Sequence, residues 1–361
     1  MAKGSLNQSY FYAYDYHQGW NWTYYFSFWN DFNRDLEWVK YIESSGIFLC
    51  ALMGLTSNLA FLCLYGKSKD LRTVPNVMIA NIAVTNILLV PVIMIPAASR
   101  LQDEWEFGQV GCKGTVGSLP TIAFIKIWLM TVLSIDRYRR ILVPMKKQIG
   151  LRFAQLLCVL CWAVPTIATL AIAIPNSMAK TIPAGEHSIV ICTVAFDYHP
   201  TVRLALVLLI GAFLFNFIIP LLVLAVCYIQ ILLHLRKNNL ALSRHNVFKS
   251  KLLKSNNKKR RSIIILITML CLFLLAWLPF FLALAFVTVD TVLETFVLRS
   301  QFFMLILFIL GLSSIVDPIV YAFVTEKARR VMKDTFRRKT IHHSGDSSDH
   351  QLNTSVSKSD F

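Results

Sequence analysis

The chain has 361 residues, of which 56% are hydrophobic and only 16% are charged, and its formal net charge is +16. Because a water-soluble protein carries about 25% charged residues, this composition excludes an ordinary soluble domain and indicates a membrane protein. The sequence predicts seven apolar spans of the length that crosses a bilayer, about 20 residues each, at residues 46–66, 77–98, 113–136, 153–174, 204–233, 262–287 and 302–324.

The basic residues are distributed unevenly along the chain. Of the 36 Lys and Arg, 27 lie in the loops after spans 1, 3, 5 and 7 and in the C-terminal tail, eight lie on the opposite side, and Lys126 lies within a span. Since Lys and Arg concentrate on the cytoplasmic side, we predict a plasma-membrane protein with its N-terminus outside and its C-terminus in the cytoplasm. The net charge then reflects topology, and no nucleic-acid partner is expected.

Residues 1–45 form the predicted extracellular segment. Asn7 and Asn21 begin Asn-x-Ser/Thr sequences and are candidate glycosylation sites. The stretch "YFYAYDYHQGWNWTYYFSFWNDFNRDLEW" is dense in aromatic residues and contains four acidic ones. Such an arm can fold onto a peptide partner, although a glycosylated tail that contacts nothing is the alternative.

Two of the eight cysteines, Cys112 and Cys192, fall on the predicted outer side. An oxidising environment permits a disulfide there, and we predict that these two residues form one. The stretch "SIVICTVAF" around Cys192 alternates and is β-branched, which predicts a short hairpin in the outer loop after span 4.

Short motifs mark the spans. At the inner end of span 3, "SIDRYRRILVP" contains Asp136, Arg137 and Tyr138. This box resembles the Asp-Arg-Tyr motif of rhodopsin-like (class A) G-protein-coupled receptors, and the chain is most similar to the neuropeptide receptors among them. The resemblance covers about residues 45–340 and includes Asn58, Trp162, Pro220, Tyr228, Phe273, Trp277, Pro279, Asp317, Pro318 and Tyr321. It implies an all-α membrane protein, a seven-helix bundle over residues 46–324 followed by a short amphipathic eighth helix.

The resemblance implies that the inner end of the bundle activates a heterotrimeric G protein. The implied coupling residues are Asp136, Arg137, Tyr138, Tyr228, Pro318 and Tyr321. Arg137 needs a carboxylate at this depth, and its neighbour Asp136 is the nearest candidate. The alternative is an arginine that only extends to the membrane interface.

A packing switch beneath the ligand pocket is also implied, formed by Ile127, Pro220, Phe273, Trp277 and Pro279. A proline within a helix removes one backbone hydrogen bond and permits a local bulge, so the packing around Pro220 can have two arrangements. The alternative is that these apolar residues only fill space.

Many receptors of this family hold the arginine of the box with a Glu at the inner end of helix 6. In this chain the corresponding residue is Lys259, within "KKRRS". Because a cation repels Arg137, we predict a weakened resting state and some activity without ligand.

Lys126 is the one charged residue between positions 121 and 135. A charge at the centre of a membrane helix costs about 3 kcal/mol on insertion scales. Lys126 precedes Arg137 by eleven residues, within about 20° of three full helical turns, so both side chains face the bundle interior.

The positions around Lys126 define a polar cavity. In the family an Asp of helix 2, a Ser or Thr of helix 3 and an Asn of helix 7 line a cavity that holds a sodium ion. Here Asn86, Lys126 and Asp317 occupy these positions, close to Asn58 of helix 1. We predict that Lys126 pairs with Asp317 and that its tethered cation replaces sodium. The alternative is a lysine that faces lipid.

Two positions bear on the ligand class. Amine receptors carry an Asp where this chain has Leu119, and opsins carry the retinal-binding Lys where it has Gly311, so both classes are disfavoured. The aromatic arm and the predicted hairpin favour an extracellular peptide, with Leu119 and Trp277 as candidate pocket residues. The alternative is a constitutively active receptor, or one that responds to a lipid or small molecule.

Beyond span 7, residues 325–340 mix apolar and basic side chains, which predicts an amphipathic helix on the inner leaflet. Residues 341–361 are rich in Ser and Thr and predict a disordered cytoplasmic tail that binds arrestin after phosphorylation.

Other classes of protein have less support. No span carries paired carboxylates, and His187 and His234 stand apart at spacings that do not suit a metal site. No enzymatic activity, cofactor or metal is therefore predicted. A transporter is a remote alternative, because it would show repeats with interrupted helices and seven spans do not divide into halves.

Overall fold

The computed structural model describes the helical core of the chain, at residues 37–102, 105–172, 174, 177–184, 187–194, 207, 210–243, 263–264, 267–283 and 300–324. The candidate glycosylation sites Asn7 and Asn21, the expected lock residue Lys259, the predicted inner-leaflet helix 325–340 and the tail 341–361 lie outside these residues.

The seven predicted spans are helices. Their bounds are Glu37–Lys67 (α1), Val74–Gln102 (α2), Gly108–Leu142 (α3), Leu151–Ile172 (α4), Ile219–Ser243 (α5), Ile267–Ala283 (α6) and Ser300–Val324 (α7). Six helices are long and apolar enough to cross a membrane, and α6 is a shorter apolar helix within the described part of the chain. Helices suit a bilayer because each one satisfies its own backbone hydrogen bonds.

Several helices begin or end beyond the predicted spans. The first begins at Glu37 and not at residue 46, the third begins at Gly108 and not at residue 113, and the fifth continues to Ser243 and not to residue 233. The predicted spans were too short because hydropathy marks only the part of a helix that lies in the hydrocarbon, about 30 Å thick. The polar turns outside that layer are helical without being apolar.

The third helix lies at the centre of the bundle. It packs against α2, α4 and α5 and contacts the outer hairpin. Of its apolar segment 72% is buried, compared with 28% in α4. Since α1 packs against both α2 and α7, and α2 also contacts α7, these helices close one side of the bundle around α3. A polar side chain in the middle of α3, such as Lys126, is therefore placed in the protein interior.

A π-helical turn, Leu214–Ile218, precedes α5 and ends two residues before Pro220. Pro220 has no N–H to donate to the carbonyl four residues earlier, at Asn216, so the regular hydrogen-bond ladder cannot continue through this point. The wider turn is a local bulge of the kind that a proline within a helix permits. Asn216 is buried in this turn, and its side-chain Oδ1 accepts a hydrogen bond from the Trp128 indole of α3 at 3.2 Å.

The predicted hairpin is present, close to the start of α3. Its strands, Ser177–Ala184 (β1) and His187–Val194 (β2), pair antiparallel. The predicted disulfide is also present and joins Cys112 of α3 to Cys192 of β2. A second attachment comes from the backbone N–H of Trp105, which donates to the carbonyl of Val190 at 2.8 Å. The hairpin is thus fixed to the outer end of α3.

Candidate functional site

Lys126 and Asp317 form the ion pair that the sequence predicted. The Nζ of Lys126 lies 2.6 Å from Oδ2 of Asp317, and the two side chains are only 1% and 6% exposed. The same Nζ donates a hydrogen bond to Oδ1 of Asn86 at 2.9 Å. The ammonium of α3 is therefore bound between α2 and α7, and the alternative of a lipid-facing lysine is wrong.

Asn86 of α2 extends this contact into a network. Its Nδ2 donates both to Oδ2 of Asp317 and to Oδ1 of Asn58, at 3.1 Å in each case. Asn58 in turn donates its Nδ2 to the carbonyl oxygens of Ser314 at 2.8 Å and of Gly54 at 2.7 Å. A continuous set of hydrogen bonds thus joins α1, α2, α3 and α7 at the centre of the bundle.

The network depends on a close approach of α1 to α7. Gly54 faces the hydroxyl of Ser314, and a Cβ on residue 54 would overlap that oxygen. The Ser314 hydroxyl donates to the carbonyl of Gly311 at 2.7 Å, so it is satisfied within its own helix. A glycine at position 54 therefore lets the two backbones come close enough for Asn58 to reach the Ser314 carbonyl.

The charges of this buried network balance. An isolated ammonium or carboxylate in a low-dielectric interior is strongly disfavoured, whereas a pair that is also hydrogen-bonded is tolerated. Lys126 contributes the positive charge, Asp317 the negative charge, and Asn58 and Asn86 contribute neutral amides. These hydrogen bonds can hold the four helices in fixed positions relative to one another. Because each bond is short, a change in the distance between two of the helices would break at least one of them.

At the inner end of α3, Asp136 has a partner that the sequence analysis did not name. Its two carboxylate oxygens accept hydrogen bonds from Nε of Arg140 at 3.0 and 2.9 Å. Asp136 is fully buried, and Arg140 is 39% exposed. Residues four apart lie on the same helix face, whereas adjacent residues point about 100° apart. This geometry favours Arg140 over the expected Arg137 as the partner of Asp136.

The other coupling residues occupy the same end of the bundle. Tyr228 of α5 is buried, and Arg137 is among the charged groups close to its hydroxyl. Arg137 and Tyr138 are half-buried, and Pro318 is buried within α7. Tyr321 lies in the last turns of α7, three residues after Pro318. The structure therefore places Arg137 and Tyr228 at the same end of the bundle.

The residues of the expected packing switch lie in one core. Ile127, Phe273 and Trp277 are at most 1% exposed, Pro220 is buried, and Pro279 is half-buried. The rings of Phe273 and Trp277 stack with centroids 6.1 Å apart.

Two aromatic residues that the sequence analysis missed connect this core. Phe217, within the π-helical turn, lies 6.4 Å from Phe273 and 4.5 Å from Phe281, measured between ring centroids. Phe281 also stacks on Phe124 of α3 at 5.5 Å. No sequence signal distinguishes these two residues from the other aromatic residues of the apolar helices.

The candidate pocket residues Leu119 and Trp277 are both buried, with 4% and 0% exposure. The Nε1 of Trp277 has no hydrogen-bond partner within the described part of the chain. On this outer side a further ion pair, unforeseen from sequence, joins Nε of the buried Arg100 in α2 to Glu43 of α1 at 3.2 Å.

The family of the chain follows from its similarity to known proteins. A family model described as "7 transmembrane receptor (rhodopsin family)" matches residues 57–321. The chain belongs to this family. It is a multi-pass membrane receptor of the rhodopsin-like (class A) group, and not an enzyme.

Individual relatives of the receptor are distant. It is 27% identical over 267 residues to the GQ-coupled rhodopsin of Mizuhopecten yessoensis, covering 70% of this chain and 51% of that protein, so the receptor spans about half the length of this relative. It is 26% identical over 284 residues to somatostatin receptor type 4 of Rattus norvegicus, covering 78% and 69%. It is 22% identical over 312 residues to the substance-P receptor of Canis lupus familiaris, covering 86% and 74%.

The crystal structure of squid rhodopsin shares the fold of the receptor. The two superpose with a TM-score of 0.68 over 86% of this chain and 88% of that chain, at 23% sequence identity. The seven-helix bundle expected from the sequence is thereby confirmed.

Proposed function

We propose that this receptor lies in the plasma membrane with its N-terminus outside, binds an extracellular peptide and activates a heterotrimeric G protein by rearranging α3, α5, α6 and α7. The observation that carries the proposal is the aromatic contact path from Trp277 through Phe273 to Phe217. It leads from the floor of the expected pocket to the π-helical turn before Pro220. Packed cores switch between discrete arrangements, so a small shift at Trp277 can change the geometry of α5.

The peptide part of the proposal rests on three features. Two of the relatives are named as receptors for somatostatin and substance P. The outer hairpin is held to α3 by the Cys112–Cys192 disulfide, which gives the mouth of the bundle a fixed rim. The N-terminal segment is rich in the aromatic residues that form binding hot spots.

A retinal-binding function is not proposed, although one relative is a rhodopsin. The lysine that opsins use is replaced by Gly311. A Cβ at this position would lie 3.0 Å from the Cβ of Cys50 and 3.3 Å from Ile93, so a lysine side chain would be crowded between α1, α2 and α7.

The decisive experiment is G-protein activation in cells that express the full chain, measured against a library of secreted peptides. Arg137→Ala should abolish the response at equal surface expression, because the arginine of the box is the proposed contact with the G protein. Arg152→Ala is the matched control, since it removes an exposed arginine from the start of α4. A peptide response that survives Arg137→Ala would contradict the proposed role of the box.

Deletion of residues 1–38 separates a peptide from a lipid or small-molecule ligand. A peptide receptor should lose potency at least tenfold, because the aromatic arm supplies part of the binding energy. A lipid that enters from the bilayer should keep its potency. Since α1 begins at Glu37, the deletion removes almost nothing from the helical core.

We also propose activity without ligand. Asp136 is held by Arg140, and the expected lock position on helix 6 is the cation Lys259. Lys259→Glu should lower basal G-protein activation by offering Arg137 a carboxylate. The prediction fails if the unchanged receptor has no more basal activity than Arg137→Ala at matched surface level.

We also propose a modification at each end of the chain, glycosylation at the N-terminus and phosphorylation at the C-terminus. Asn7 and Asn21 carry sugar, and the tail 341–361 binds arrestin once it is phosphorylated. Asn7→Gln combined with Asn21→Gln should remove the mass that a glycosidase removes from the unchanged receptor. Deletion of residues 341–361 should abolish ligand-induced arrestin recruitment while G-protein activation persists.

A further inference from the structure

We propose that Lys126 is a built-in cation that makes the central polar cavity independent of sodium, and that replacing it with a small hydroxyl residue converts the cavity into a sodium site. The corresponding cavity of rhodopsin-like receptors holds a sodium ion. In this chain the residues at that place do not fit a free ion, and the reason is the position of one ammonium group.

The ammonium engages the oxygens that a small cation would need. Nζ of Lys126 lies 2.6 Å from Oδ2 of Asp317 and 2.9 Å from Oδ1 of Asn86. A sodium ion bound to the same oxygens would lie against a positive charge at short range, in an interior where such repulsion is weakly screened. The ammonium and a sodium ion therefore exclude each other.

The charges in the cavity are also already balanced. Asp317 supplies one negative charge, which Lys126 neutralises, and the position on α2 where a second carboxylate would stand is the neutral Asn86. Asn86 is fixed in its orientation because it accepts from Lys126 through its oxygen and donates to Asp317 and Asn58 through its nitrogen. Adding a cation to this set would leave one positive charge without a counter-charge.

Without the ammonium, the same side chains form a ligand set for a hard cation. Asp317 offers a carboxylate and Asn86 and Asn58 offer amide oxygens, and all three are buried. Ser313 is one helical turn before Asp317, and its hydroxyl oxygen can accept further contacts while it donates to the carbonyl of Leu310. Carboxylate, amide and hydroxyl oxygens are the ligands that hard cations prefer. Lys126→Ser would remove the competing charge and add one more oxygen.

The test is thermal unfolding of the purified full-length receptor in NaCl and in N-methylglucamine chloride, each at about 0.15 M so that screening is equal. The unchanged receptor should have the same Tm in both salts. Lys126→Ser should have a Tm higher in NaCl by about 2–4 °C or more, because an ion that binds only the folded state stabilises it. Lys126→Ser combined with Asp317→Asn is the matched control and should lose this difference, since it lacks the carboxylate.

Each result decides the proposal. A Tm of the unchanged receptor that rises with sodium would overturn the first half. A folded Lys126→Ser with equal Tm in both salts would overturn the second half, as would a failure of both Lys126→Ser and Lys126→Thr to fold in sodium. The measurement needs neither a peptide nor a G protein, so it stands apart from the success or failure of the proposed function.

Discussion

Asp317 at the centre of the bundle and Asp136 at the inner end of α3 are both buried carboxylates, and each is neutralised by one basic residue. Asp317 pairs with Lys126, which is on a different helix and 1% exposed. Asp136 pairs with Arg140, which is four residues away on the same helix and 39% exposed. The first pair therefore links distant parts of the fold in a dry interior, whereas the second is local and its cation remains in contact with solvent.

The two pairs are therefore expected to contribute differently to the stability of the fold. Breaking a buried pair by removing one partner is costly because the other charge is left without compensation. A pair whose cation is partly exposed contributes less, because that cation is hydrated in both the folded and the unfolded state. We therefore expect the centre of the bundle to determine stability and the inner end to determine signalling.

The largest effect is expected for Lys126→Met. This change keeps the length of the side chain but leaves Asp317 as an uncompensated buried carboxylate, which should lower the free energy of unfolding by about 3–5 kcal/mol. Surface expression and Tm measure the loss. Lys126→Met combined with Asp317→Asn should recover part of it, and a double variant no better than the single one would show that the two residues are not coupled.

A smaller effect is expected for Arg140→Met. The loss should be about 2–3 kcal/mol, because the buried carboxylate of Asp136 loses its partner, but it should be smaller than at the centre since Arg140 is 39% exposed and water can reach the pair. Tm measures it against Arg152→Met, which removes an exposed arginine elsewhere at the inner end. A loss as large as that of Lys126→Met would mean that the burial of the carboxylate, and not the exposure of its partner, sets the cost.

The smallest effect is expected for Asn86→Asp combined with Asp317→Asn. Lys126 already contacts both positions, at 2.9 and 2.6 Å, so moving the carboxylate from α7 to α2 keeps its counter-charge. The double variant should unfold within about 2 kcal/mol of the unchanged receptor, since each contact of Nζ keeps an oxygen, while Oδ1 of Asn58 loses the donor that Asn86 supplies. Asp317→Asn alone should be clearly less stable. Equal losses in the single and double variants would show that Lys126 cannot use a carboxylate on α2.

The central pair could be predicted from the sequence because its signals are unusual. A lysine within an apolar span needs a partner, its spacing from Arg137 fixes the face that it occupies, and the matched positions of the family place Asn86 and Asp317 opposite. The hairpin and the disulfide followed from equally specific signals. In each case local chemistry leaves few alternatives.

Other contacts could not be predicted, for different physical reasons. The four-residue spacing of Asp136 and Arg140 is compatible with a pair, but the sequence also offers the adjacent Arg137 as a partner and does not decide between the two arginines. Arg100 and Glu43 belong to different helices and are 57 positions apart, so no sequence pattern relates them. The start of α1 at Glu37 lies in a polar and aromatic stretch that hydropathy treats as a loop.

The contacts of Lys126 with Asn86 and Asp317, which join three helices, also limit the order in which these residues can have been substituted during evolution. A lineage that gained the lysine while it lacked any nearby carboxylate would pass through a poorly folding intermediate. A lineage with an Asp at position 86 or 317 could accept the lysine at once, because its Nζ reaches both positions. Among descendants of one ancestor, the lysine should therefore occur only together with a carboxylate at position 86 or 317, and this pairing would mark a branch of the family without a diffusible ion in the cavity.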